Sequence, residues 1–328
     1  MGDRVGLTSF PAGMPRESLR IKYRVYMART QEIADGIYVI MTDDYRLNTG
    51  LILGADKAMV IDTGAGPRQG AEIFRAARKI TDLPFVVVNT HAHYDHFFGN
   101  AVFAADGATD FWAHPNAERA MERYADRQRG YVETLEPEMA HHQGPNTDIV
   151  PPTRLLPGDG GRASFTRVDL GDRAVTLFYL GLGHTDNDVL AGVDEILFTG
   201  DIVEQGADPA FDDSFPEVWV QTLATVAGLD RYHVFVPGHG TPVERTFVQR
   251  QSETMREAID RIAASTSNPD AGPTTAAMYK LPYDAGVTRI LLDRLAWLEE
   301  KGMMGEDLSV EDTPTGVTGP ITTGEHAQ

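Results

Sequence analysis

Four apolar residues, Phe85-Val86-Val87-Val88, run through Asn89 into Thr90-His91-Ala92-His93-Tyr94-Asp95-His96, and this junction limits the fold more than any other segment. A continuous apolar run that short reads as a strand buried on both faces, because a strand with one wet face would alternate. Such a strand needs covering layers above and below it, and the histidines then leave it at a sheet edge. His91 and His93 are two residues apart, a spacing that points both imidazoles the same way from an extended loop. Asp95 and His96 add a carboxylate and a third imidazole next to them.

The flanking pattern agrees with a layered fold. Ile37–Ile40, Thr49–Leu53 and Ala58–Ile61 are short β-rich runs separated by turn residues, as antiparallel strands are. Helices are expected after Pro67 and over residues 115–140, with a Pro-, Gly- and Asp-rich loop from His141 to Gly161. Strands return at 165–170, 173–180, 188–193 and 195–199, then a helix at 216–228 and a strand at Val234-Phe235-Val236. Strands then helix, occurring twice, predict an α+β sandwich of two mostly antiparallel sheets packed face to face, with helices on the outer faces. The expected division is an N-terminal arm (1–30), a catalytic domain (31–245), a C-terminal helical extension (246–305) and a flexible tail (306–328).

Other ligand-type residues follow predicted strands. His184 lies in Gly181-Leu182-Gly183-His184-Thr185, Asp201 in Phe198-Thr199-Gly200-Asp201, and His239 in Pro237-Gly238-His239-Gly240. Loops at several strand ends can converge on one edge of a sandwich, where rigid scaffolding holds a site. The chain has no cysteine, so thiolate ligands and cysteine nucleophiles are excluded and a metal must be held by nitrogen and oxygen.

These motifs, with the upstream Asp62-Thr63-Gly64 turn, resemble the metallo-β-lactamase fold superfamily over roughly residues 31–245. The resemblance implies an αββα sandwich with a two-metal site at one edge. It implies that His91, His93 and His184 bind one metal and Asp95, His96 and His239 the other, with Asp201 bridging. Asp62 would support the motif loop from behind. Asp95 would also orient the nucleophile or relay its proton, and Tyr94 and Asn187 are candidates for touching substrate. Asp201 stands where the largest zinc β-lactamase subclass has cysteine, which favours a likeness to glyoxalase II-like thioesterases and lactonases. The stretch Ile202-Val203-Glu204 lacks the tyrosine usual in quorum-signal lactonases of this fold.

The expected function is dinuclear zinc-dependent hydrolysis of a small-molecule ester, thioester, lactone or amide, with iron or manganese as alternative metals. The competing expectation is a mononuclear iron enzyme resembling the persulfide dioxygenases of this fold. A net charge of −19 argues against nucleic acid and anionic membranes as partners. No apolar run is long enough to span a bilayer. With no basic-then-apolar start, a cytoplasmic protein is expected. The amphipathic stripe Ile290, Leu291, Leu295, Leu298 would serve a helical cap, a homodimer contact, or a faintly winged-helix-like appendage. His114 and His233 read as packing residues. His141, His142, Asp212 and Asp213 read as solvated loop, and His326 as tail.

Overall fold

A computed structural model describes residues 28–158, 161–266 and 281–303. The proposed tail, His326 included, and nearly all of the N-terminal arm lie outside them. The first sheet has the order β1 (Arg29–Ala34), β2 (Ile37–Met41), β3 (Asn48–Leu53), β4 (Ala58–Ile61), β5 (Phe85–Val88), β6 (Phe111–Ala113), β7 (Arg154–Leu155). The second contains β8 (Ser164–Asp169), β9 (Ala174–Tyr179), β10 (Val189–Val193), β11 (Ile196–Gly200), β12 (Val234–Pro237) and β13 (Val243–Glu244), in the order β13-β12-β11-β10-β9-β8. Both sheets are mixed: β4, β5, β6 and β7 pair in parallel, as do β11 and β12, while the other pairings are antiparallel. The parallel pairs arise where a helix or long crossover intervenes, since a hairpin cannot join parallel strands.

Alternation along each strand builds the layers. Ile52, Met59, Ile61, Val86 and Val88 meet Val175, Leu177, Val189, Ala191, Phe198 and Val236 between the sheets. Their neighbours Leu51, Val60 and Val87 face outward, onto Ile73, Ala76 and Ala77 of α1 (Pro67–Arg78) and Val102 and Phe103 of α3 (Asn100–Ala105). The continuous apolar run of β5 is therefore explained by two covered faces.

The second sheet's outer face carries Leu190, Leu197 and Phe235, covered by Trp219 and Leu223 of α6 (Pro216–Ala227) and Val248 and Met255 of α7 (Arg245–Thr266). Leu291 and Leu295 of α8 (Ala285–Glu300) join the same layer, and Leu298 packs with Leu182 and Phe215. Among the described residues, no helix is long and apolar enough to cross a membrane.

The 115–140 region divides into α4 (Pro115–Gln128), a 3-10 turn (Arg129–Val132) and α5 (Pro137–Ala140). One element was not expected: Tyr94–Phe97 forms a helical turn, α2, directly after His93. His93 itself is extended, with φ −91° and ψ 145°. The turn sets Asp95 and His96 beside His239, while His93 meets His91 and His184.

Candidate metal centre

The four loops meet at one edge of the sandwich, and backbone bonds tie them together. Val189 N–H donates to Thr90 O (2.6 Å), Gly238 N–H to Gly200 O (2.9 Å) and Asn48 N–H to Gly238 O (2.7 Å). Two close approaches depend on missing side chains. A Cβ on Gly238 would run into Asp201 Oδ1 and lie 3.0 Å from His96 Cε1, and one on Gly200, where φ is +51°, would lie 2.8 Å from Thr90 Cβ.

Two clusters result. In the first, His93 Nδ1 lies 3.0 Å from both His91 Nε2 and His184 Nε2. In the second, His239 Nε2 lies 3.3 Å from Asp95 Oδ2 and 3.3 Å from His96 Nε2. Asp201 Oδ2 sits between them, 3.8 Å from His91 and His184 Nε2 and 3.4 Å from His96 and His239 Nε2. All seven residues expected as ligands are thus brought together.

The outer ring nitrogens decide which way the lone pairs point. His96 Nδ1 donates to Asp62 Oδ2 (2.8 Å), His239 Nδ1 to Tyr45 O (2.6 Å) and His93 Nε2 to Asp213 Oδ2 (3.0 Å). His91 Nδ1 lies 3.1 Å from Thr90 Oγ1, and His184 Nδ1 faces Glu204 Oε1 at 3.5 Å. With outer nitrogens acting as donors, the inner ones present lone pairs to the centre of each cluster. Two ring nitrogens 3.0 Å apart need a proton shared between them or a cation in its place. Zn–N bonds of about 2.0–2.1 Å in a tetrahedron put ligand nitrogens roughly 3.3 Å apart, so the spacing suits a divalent ion. Asp201 Oδ1, buried without a hydrogen-bond partner, adds an orphaned acceptor to the same centre.

Burial and neighbouring charge polarise these groups differently. Burial, with His96 and His93 alongside, holds His91 well below the ordinary imidazole range. Burial and His93 push His184 down to about 4. Burial also opposes a charge on His93, but Asp213 outweighs it and lifts that ring to about 9. For His96 and His239, burial is again outweighed, chiefly by Asp201, and both rings stand well above their usual range. The protons that Asp201 holds on these two rings are those a bound cation would displace.

Asp62 braces the site. Its φ of +63° turns the carboxylate back toward β5, where it accepts from Thr90 N and Thr90 Oγ1 as well as His96 Nδ1, each at 2.8 Å. Asn187, a candidate for substrate, is instead turned inward: Oδ1 accepts from Ala92 N–H (2.9 Å) and Nδ2 donates to Asp186 Oδ1 (2.7 Å). Tyr94 is buried among Tyr45, Phe98 and Tyr131, so its ring packs rather than lining the opening. His114 caps α4 and stacks on Tyr179, and His141 and His142 are exposed beside Glu133 and Asp148. His233, expected to pack, is exposed, because its side chain falls before the strand enters the core.

Three further residues escaped the sequence. Asp213 is turned in to His93 rather than out to solvent. Gln128 accepts from Tyr94 N–H (2.7 Å) and donates to Ala92 O (2.9 Å), clamping the motif. Arg294 reaches the Asp213 segment from α8. The available signal was a polar residue inside an otherwise apolar helical stripe, which holds for Gln128 and Arg294.

The sequence profile of the metallo-β-lactamase superfamily matches residues 43–260, a span that includes all seven clustered side chains. The chain belongs to the metallo-β-lactamase superfamily. It is a metal-dependent hydrolase of that group. Similar proteins include the human acyl-coenzyme A thioesterase MBLAC2, 28% identical over 199 residues that cover 54% of this chain and 67% of that protein. The Bos taurus protein of the same name matches to the same extent. A metallo-β-lactamase from Pontibacter korlensis superposes with a TM-score of 0.56 at 15% identity, covering 70% of this chain and 99% of that one. One from Erythrobacter litoralis gives 0.52 at 21%, covering 72% and 99%. At such identities the structural matches establish the superfamily's fold.

Proposed function

We propose that the chain hydrolyses a small acyl thioester, or a related ester, lactone or amide, at a two-zinc centre. The observation that carries this is the position of Asp201 Oδ2, within 3.4–3.8 Å of four inner imidazole nitrogens, so that one carboxylate oxygen serves both clusters. His91, His93 and His184 would hold one ion and Asp95, His96 and His239 the other. Imidazole and carboxylate ligands without thiolate suit zinc, with iron and manganese the alternatives. Bound there, divalent zinc supplies acidified water at neutral pH and polarisation of a carbonyl.

The protein's own groups complete the chemistry. His91, His96 and His184 side chains are at most 2% exposed, whereas His93 and Asp95 are 12% and His239 21% exposed, so substrate approaches over the latter three. Asp95 faces that opening. Burial would raise its pKa, but His96 and His239 hold it below the usual carboxylate range, so it stays ionised and can orient water or accept its proton. Asp62, Thr90 and Gln128 keep the rings in place while charge moves.

The thioester is put first because the curated relatives are acyl-coenzyme A thioesterases. The test is a panel of acyl-CoA thioesters, lactones, β-lactams and phosphodiesters, offered to metal-stripped protein titrated with zinc. Thioester cleavage should rise with zinc up to two equivalents. Stoichiometric iron in protein purified without added metal, with oxygen consumed on a persulfide, would overturn the proposal.

A further inference from the structure

We propose that Arg294 and Asp213 act together as a positioning relay for His93, so that α8 completes the three-histidine half of the centre; this rests on the metal-centre reading above. His93 differs from its two partners. It turns Nδ1 inward, where they present Nε2, and it stands at the rim with a more exposed side chain. The packing that encloses His91 and His184 therefore does not lock its ring. What holds the outer nitrogen is the carboxylate of Asp213, 3.0 Å away.

Asp213 lies on the irregular segment between β11 and α6, which has no ladder of its own to fix it. The segment is held from outside. Arg294 Nη2 donates to Asp213 O (2.9 Å) and Nε to Ser214 O (2.5 Å), so one planar guanidinium grips two successive carbonyls. The fork is itself held between Phe215 and Trp297, whose ring centroids lie 5.1 and 4.7 Å away.

Packing alone does not call for an arginine here. Arg294 is 6% exposed and lies in the stripe of Leu291, Leu295 and Leu298, where an apolar side chain would fill the space without desolvating a charge. Among the described residues no carboxylate lies within ion-pair distance of it, so its donors serve the two carbonyls. Arg294 also lies beyond residues 43–260, the segment matched to the superfamily.

The experiment uses the full chain and reads metal affinity, not turnover. Zinc binding is measured against a competing chelator for wild type, Arg294→Met, Asp213→Ala and the double variant, with Met chosen to keep the contacts with Phe215 and Trp297. Each single variant should weaken one of the two equivalents by about 10–100-fold and leave the other within about threefold. The double variant should be no weaker than Asp213→Ala alone, because the arginine acts through the aspartate. In cobalt-substituted protein, the shifted proton resonance on His93 Nε2 should exchange with solvent faster in both single variants. Additive losses, or wild-type affinity and exchange in Arg294→Met, would overturn the relay. Should Arg294→Met not fold, Arg294→Lys, which keeps the charge and loses the fork, carries the same comparison. A wild-type chain that takes up no divalent metal would sink the metal-centre reading instead.

Discussion

Replacing Asp62 with Asn isolates how much of the centre depends on one buried carboxylate. Asp62 is 1% exposed and accepts three hydrogen bonds, from Thr90 N, Thr90 Oγ1 and His96 Nδ1. Asparagine keeps the shape and tolerates the positive φ at this position, which most other residues would not. Its oxygen can retain the bond from Thr90 N, and the Thr90 hydroxyl can rotate to accept from the new amide. His96 cannot adapt without loss. To accept from the amide, Nδ1 must give up its proton, and the tautomer then carries hydrogen on Nε2, aimed at Asp201 and His239. Loss of such an outer partner typically weakens metal binding by about 10–100-fold, or roughly 1.4–2.7 kcal/mol. Loss of the charge-assisted bond should cost the metal-free fold about 1.5–3 kcal/mol. Chelator competition resolving both zinc equivalents, beside urea melts of the stripped protein, gives the two numbers separately. The equivalent held by Asp95, His96 and His239 should weaken while the other changes about threefold or less. If Asp62→Asn bound both equivalents as the wild type does, the tautomer argument would fail.

Three other outcomes follow from the same geometry. Gly238→Ala should fold yet lose the metal position served by His96, because its methyl group meets Asp201 Oδ1; a zinc titration retaining two tight equivalents would contradict this. Trp219→Ala, which empties a fully buried site in the outer layer of the second sheet, should cost about 3–5 kcal/mol in chemical denaturation. His114 is held neutral, its pKa lowered from 6.5 to about 3 by burial and then by Arg119. The unfolded chain therefore takes up this proton first: the stabilisation is complete well above pH 6.5 and is lost as pH falls toward about 3, by at most about 5 kcal/mol. Relative to His114→Asn, which keeps a capping side chain, wild-type stability should fall more steeply across that window, and parallel curves would refute the assignment.

Much of this was legible in the primary structure because burial on two faces and ligand chemistry both leave local marks. The apolar run at Phe85–Val88 required covering layers, and the expected strands at 165–170, 173–180 and 188–193 differ from β8, β9 and β10 by a residue or so at their ends. The helical turn at Tyr94–Phe97 was not legible, since a four-residue helix has too few residues to show a period. Asp213 was misread because a pair of acids in a loop carries no sign of which way either side chain turns.

Residue types and their order along the chain determined the layers, the nitrogen-and-oxygen character of the ligands, and the seven side chains that meet at one edge. Tertiary structure alone decided which ring nitrogen of each histidine faces inward, because that depends on what lies behind the ring. Asp62 stands 34 residues from His96 and Asp213 120 residues from His93, separations at which no local pattern can encode a hydrogen bond. It also decided that α8 belongs to the site's support: Arg294 reaches the Asp213 carbonyl across 81 residues of sequence, and only the packing of Leu291 and Leu295 into the second sheet's outer layer brings it there.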